Sequence, residues 1–261
     1  MRIEKALAVR AWGGYYNDDL AAIRHGARSD GLFYVGPPVT PGFASIRQPA
    51  EAVSVVLVLD SGQCVAGDAL SVAYSGAGGR STRFRHEFQL DAMQDVCAAL
   101  AGQSVTGFLD MCGWLEGQEF GDSRLNRTAA FYAVSQALLQ AVALAQRRTG
   151  AEVLAAELDV QVSETLIPIN VQCGEDRRAG VDKAIAHRAD ALPHGLINSL
   201  DVLGNDGSRL VEYVSWVIER IKTFGAADYR PELHVDAYGM LGTIFENDAR
   251  RIAGYVAGLA E

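Results

Sequence analysis

Asp236 closes a short extended run, His234-Val235-Asp236-Ala237-Tyr238-Gly239. A carboxylate at the C-terminal tip of an apolar strand is where a (β/α) barrel places a metal ligand. Such a carboxylate is costly there without a partner. Two further polar residues follow strand-like runs: Gln172 after Ile169-Asn170-Val171, and His194 after Ala191-Leu192-Pro193. In a parallel α/β layer the C-terminal strand ends share one rim, so Gln172, His194 and Asp236 would converge. The chemistry open to such a set is specific. An amide orients a carboxylate or an amine, and an imidazole moves a proton near neutral pH. A carboxylate holds a divalent cation that stabilises a developing enolate. Plainer readings stand beside these: Gln172 as a solvated strand end, and His194, between Pro193 and Gly195, as an exposed turn residue. His234 alternates with Asp236 and so shares its face; it reads as a hydrogen-bonded interior histidine rather than a catalyst.

The elements that must carry these residues lie in the second half. Leu166 to Val171, Ala191 to Ile197 and Leu233 to Asp236 read as strands. Helical patterns at 179–188, 208–224 and 246–260 follow them. In the helix at 208–224 the apolar stripe is Leu210, Val211, Val214, Val217, Ile218 and Ile221. Three βα units in a row imply parallel strands with right-handed crossovers. The first 160 residues read as α+β. A strand at 53–59, the turn Asp60-Ser61-Gly62 and a return from Cys64 to Tyr74 predict a hairpin. Helical periodicity occupies 87–101, 104–117 and 125–148. The last of these has a stripe of Ala130, Val134, Ala137, Leu138, Ala141, Val142 and Ala145, with a stop at Gly150. The run Tyr74-Ser75-Gly76-Ala77-Gly78-Gly79-Arg80 lacks the spacing of a P-loop or a dinucleotide fingerprint. It reads as a lid with Arg80 as an anion contact, or as a plain hairpin end. The early aromatics Trp12, Tyr15, Tyr16, Phe33, Tyr34 and Phe43 read mostly as core, or as a pocket wall.

With 261 residues, 49% of them apolar, the chain affords a sizeable core. A net charge of −9 with no basic run argues against a nucleic-acid groove. Cys64, Cys97, Cys112 and Cys173 form no C-x-x-C pair and read as reduced thiols of a cytoplasmic protein. The start, Met1-Arg2-Ile3-Glu4-Lys5, carries no signal-peptide core, and no stretch is expected to span a membrane.

Six motifs then fall in one order: Gly31-Leu32-Phe33-Tyr34, Val39 to Phe43, Tyr74 to Arg80, Gln172 to Arg177, Leu192 to Asn198 and His234 to Gly239. With them the chain resembles the methylaspartate ammonia-lyase family of the enolase superfamily along essentially its whole length. The resemblance implies an α+β capping domain (1–160) followed by a truncated (β/α) barrel of about three βα units (161–261). It implies Mg²⁺-assisted, reversible loss of ammonia from 3-methylaspartate to give mesaconate, a step of amino-acid degradation in glutamate catabolism. By position, Asp236 matches a metal ligand, His194 one of two acid/base groups and Gln172 a substrate-binding amide. Ala73 stands where the family has a substrate-binding glutamine, which changes the expected amine or substrate preference. The family's remaining metal ligands, a Glu and an Asp, and its Lys base match nothing before the chain ends at Glu261. The expectation is therefore a lyase inactive as the isolated chain, working as a homodimer or with a complementing C-terminal segment, with no nucleic-acid or membrane partner. The alternatives are a non-catalytic fragment or subunit of the superfamily, and an enolase-type dehydratase or racemase.

Overall fold

The computed structural model describes residues 1–71, 84–121, 125–174, 176–197, 199–237 and 239–260. Ala73 and the run from Tyr74 to Arg80 lie outside the described residues. The chain divides into two compact units, Met1–Val162 and Ser163–Glu261.

The first unit opens with β1 (Ile3–Asp18), α1 (Leu20–Arg24) and the small hairpin β2 (Arg28–Asp30) and β3 (Phe33–Val35). The hairpin β4 (Arg47–Leu59) and β5 (Cys64–Ala69) follows, turning at Asp60-Ser61-Gly62 as expected. The return strand β5 ends at Ala69, and the expected end at Tyr74 lies outside the described residues. β1 adds antiparallel to β4, giving the order β1-β4-β5. Strand alternation sets the faces. Val53, Val55, Leu57 and Leu59 are fully buried, while Ser54, Val56 and Val58 on the other face are half-buried.

Helices α2 (His86–Leu100), α3 (Phe108–Glu116), α4 (Arg127–Gln146) and α5 (Gly150–Glu157) complete this unit. Met93, Val96, Leu115, Ala130, Val134, Leu138 and Val153 share one core with the buried β4 residues. Two expectations fail along α4. Ala145 is exposed and leaves the apolar stripe to Ala133 and its neighbours. Gly150 does not stop the helix: Arg147 caps it in the left-handed region (φ 55°). Gly150 instead begins α5, where Thr149 and Glu152 form a reciprocal capping box. α4 also has the length and apolar character of a membrane span, contrary to expectation, but its buried residues belong to the core of this unit. Of the early aromatics, Trp12, Tyr16 and Phe33 are exposed rather than core.

Helix α4 reaches β5 because Gly67 has no side chain. A Cβ there would stand 2.0 Å from the Ala133 carbonyl oxygen. Gly67→Ala is expected to lower stability by roughly 1–3 kcal/mol, since backbone must move. Chemical unfolding checks this; an unchanged midpoint would contradict the close packing.

Asp19 ties the start of this unit together. It is 1% exposed. Its carboxylate accepts from Val39 N (2.7 Å), Thr40 N (2.8 Å), Thr40 Oγ1 (2.6 Å) and the α1 backbone at Ala22 N. Burial alone would raise its carboxyl, but these hydrogen bonds outweigh it and hold the pKa at about 2. A depressed folded pKa stabilises above the ordinary carboxylate range and loses that effect as pH falls towards 2. Asp19→Asn is therefore expected to cost roughly 2 kcal/mol at neutral pH, with the gap from wild type shrinking below about pH 4. Unfolding free energies measured across that range check it; a gap constant with pH would refute it.

The second unit alternates strand and helix: β6 (Asn170–Gly174), α6 (Arg177–Ala186), β7 (Ala191–Leu196), α7 (Leu200–Leu203), α8 (Ser208–Phe224), β8 (Glu232–Asp236), α9 (Met240–Ile244) and α10 (Ala249–Ala260). The strands pair in parallel, in the order β6-β7-β8. Val181, Ala184 and Ile185 of α6 pack with Cys173, Leu192, Val217 and Tyr229. The first strand is displaced from its expected position: Leu166 and Ile167 lie outside the sheet and are largely exposed. Along α8, Val211 and Ile218 are exposed rather than part of a buried stripe. The expected helix at 246–260 is α10, preceded by the short α9.

Candidate functional site

The alternation of β6 and β8 decides which side chains share a face. Cys173 packs towards α6. Val235 packs with Leu203 and Leu210, and Leu233 lines a cleft with Ile218 and Ile221 of α8. Asn170 and Gln172 on β6, and Glu232, His234 and Asp236 on β8, therefore belong to the opposite face of the sheet. In register, Gln172 lies opposite His194 on β7, and Asp236 opposite Leu196. This brings the backbones of the three expected strand positions to adjacent places in one sheet. Two positions differ in detail from expectation. Gln172 and His194 lie within their strands, not beyond their ends, and His194 is not in a turn. Asp236 is the last residue of β8, as expected, and is half-buried. Gln172 is exposed.

Asn170 adds a residue that the sequence alone did not single out. Its Nδ2 donates to Nδ1 of His234 at 3.0 Å. His234 is hydrogen-bonded, as expected, but exposed. The available signal was the pair of polar-apolar-polar triplets, Asn170-Val171-Gln172 and His234-Val235-Asp236, each of which puts two polar groups on one face.

The surroundings limit the chemistry. Burial pushes the Cys173 thiol up to about 11, so the cysteine beside Gln172 is a neutral thiol and not a nucleophile near pH 7. Burial likewise pushes the Tyr213 hydroxyl up to about 12. A cleft of about 280 Å³ lined by Gln172, Cys173, Asp176 and Lys183 opens beside β6. A larger cleft, about 530 Å³ between α8 and β8, contains none of the candidate residues. Among the described residues no three His, Cys, Asp or Glu side chains group as a metal site. Asp236 by itself does not meet the octahedral oxygen shell that Mg²⁺ demands.

An α+β unit followed in sequence by parallel βα units defines an enolase-like fold class. At fold level the chain matches a muconate lactonizing enzyme from Mycobacterium smegmatis with a TM-score of 0.57 and 17% identity. The narrower assignment comes from family models. Methylaspartate ammonia-lyase N-terminus matches residues 1–159, and methylaspartate ammonia-lyase C-terminus matches 161–261. The chain belongs to the methylaspartate ammonia-lyase family. Methylaspartate ammonia-lyase 1 of Carboxydothermus hydrogenoformans is 40% identical over 100% of this chain and 62% of its own length. The Citrobacter amalonaticus methylaspartate ammonia lyase structure containing (2S,3S)-3-methylaspartic acid superposes with a TM-score of 0.90 at 41% identity, covering 100% of this chain and 64% of that one. The Mg complex of β-methylaspartase from Clostridium tetanomorphum gives 0.86 at 39%, covering 100% and 63%. The chain thus spans less than two thirds of the length of these relatives.

Proposed function

We propose that this chain contributes a capping domain (1–160) and the first βα units of a barrel (161–261) to a Mg²⁺-dependent carbon–nitrogen lyase that converts 3-methylaspartate to mesaconate and ammonia. The observation that carries the reading is the register of Gln172, His194 and Asp236 on three adjacent parallel strands, in a chain of this family. Gln172 orients a substrate carboxylate through its amide. His194 takes or returns the proton on one face of the substrate carbon. Asp236 is one anchor for Mg²⁺, which when bound supplies Lewis-acid stabilisation of charge on a carboxylate. The described residues do not complete that metal shell, so further carboxylates must join Asp236. A complementing segment is the source proposed here, and the chain without it is expected to be inactive. Ala73, where the family has a substrate-binding amide, is expected to shift amine preference.

The test is mesaconate formation, followed by ultraviolet absorbance, with the chain alone and with a complementing segment from a relative. Turnover only in the mixture is the expected result. His194→Ala in the mixture should change proton exchange on one substrate diastereomer while leaving metal affinity unchanged. Steady turnover by the chain alone would overturn the complementation, and unchanged exchange for both diastereomers would remove His194 from the chemistry.

A further inference from the structure

We propose that Asn170 and His234 are positioning residues of this site, joined by a hydrogen bond that crosses β7 and fixes how far Gln172 stands from Asp236. The inference rests on the roles given above to Gln172 and Asp236, but its geometry is independent of them. β6 and β8 are not neighbours, because β7 lies between them. Two strand spacings put their axes roughly 10 Å apart. An asparagine and a histidine reaching towards each other close that distance with one hydrogen bond, and 3.0 Å separates Nδ2 from Nδ1 here. On β7 the residue in register with Asn170 is Ala191, and His234 falls between the paired positions Leu233 and Val235, beside the register shift from Leu192 to Gly195.

The spacing along the chain is symmetrical. Asn170 precedes Gln172 by two residues, and His234 precedes Asp236 by two. Residues two apart in a strand share a face and stand roughly 7 Å apart along it. By register Asn170 is level with Glu232, two residues before His234, so the tie runs diagonally across β7 from below Gln172 to the residue two before Asp236. Pairing of β6 with β7 and of β7 with β8 carries register shifts at this level, between Asn170 and Gln172 and between Leu192 and Gly195. Backbone pairing through β7 thus defines the β6–β8 spacing less rigidly than an unbroken ladder, and a direct cross-tie restores it. The amide also selects a form of the ring. With Asn170 donating, Nδ1 of His234 is the acceptor and the neutral ring carries its hydrogen on Nε2.

The experiment is long-range proton–nitrogen correlation NMR on the full chain at pH 8, with the side-chain amide of Gln172 and the carboxylate carbon of Asp236 as second readouts. The unsubstituted chain should show His234 locked with hydrogen on Nε2. Asn170→Ala should change the tautomer populations of the ring and move the resonances of both Gln172 and Asp236. Asn170→Asp, which presents only acceptors, should transfer the hydrogen to Nδ1. An unlocked or Nδ1-protonated ring in the unsubstituted chain would overturn the proposal, even if neither variant folds. So would changed tautomer populations with unmoved Gln172 and Asp236 signals, which would mark a merely structural contact. None of these readouts needs turnover. A locked ring in a chain that never supports lyase activity would sink the assignment of function and leave the tie intact.

Discussion

Asp236→Asn is expected to reduce turnover of 3-methylaspartate by at least about a hundredfold in the complemented protein, with the fold unchanged. Asparagine keeps the size and one carbonyl oxygen but loses the negative charge. Groups that neutralise charge appearing in the transition state commonly supply one of the largest single contributions to catalysis, and losing one costs about 10²–10³-fold. Asp236 is the last residue of β8, opposite Leu196 and one strand from His194. Its removal should also weaken binding of Mn²⁺, read by electron paramagnetic resonance as a surrogate for Mg²⁺. Full activity with unchanged Mn²⁺ affinity would remove Asp236 from the metal site. Loss of activity with unchanged Mn²⁺ affinity would assign it to substrate instead.

Gly180→Ala is expected to be the most destabilising single methyl added to the second unit. Helix propensity alone predicts the opposite sign, because alanine is favoured over glycine inside a helix by about 1 kcal/mol. The contact at Gly180 reverses it. A Cβ there would lie 2.4 Å from the Cys173 carbonyl oxygen and 2.5 Å from the Cys173 Cα. Both are backbone atoms of β6, the strand that carries Gln172. Relief requires α6 to lift from the sheet, at roughly 3 kcal/mol or more for overpacking of this kind. The buried cluster of Val181, Ala184, Ile185 and Leu192 would open with it. Urea unfolding followed by hydrogen exchange checks this: the loss should fall on residues of the second unit and spare β4 and β5. A stabilised variant would show that propensity outweighs the contact.

Much of the fold was legible in the sequence where pattern and punctuation agreed. The β4–β5 hairpin is announced by alternating valines and an Asp-Ser-Gly turn, and α8 runs from Ser208 to Phe224 as its periodicity predicts. β1 was not legible because Gly13 and Gly14 interrupt it, and one of its faces carries exposed Leu7 and Val9 instead of a buried stripe. The start of β6 was not legible because Leu166 and Ile167 are apolar yet largely exposed and outside the sheet, so hydrophobicity there does not mark burial. Gly150 illustrates a local ambiguity. A glycine after a basic turn ends a helix, but Thr149 three residues before Glu152 opens one, and the capping box prevails. The end of β8 at Asp236 was legible from the apolar run before it, while Gln172 falls inside β6 because that strand begins only at Asn170. The Asn170–His234 tie was not legible, because it depends on a register across β7 that no single strand records.

The place of β1 in its sheet also has a temporal consequence. Ile3 pairs with Leu59 and Asp18 with Arg47, while Val58 pairs with Cys64 across a short turn. Closing the wide β1–β4 loop costs more chain entropy than closing the β4–β5 turn. On a ribosome β1 emerges first yet has no partner until β4 follows it. The β4–β5 hairpin is then the template, and the first strand made is the last of the three to be zipped into place.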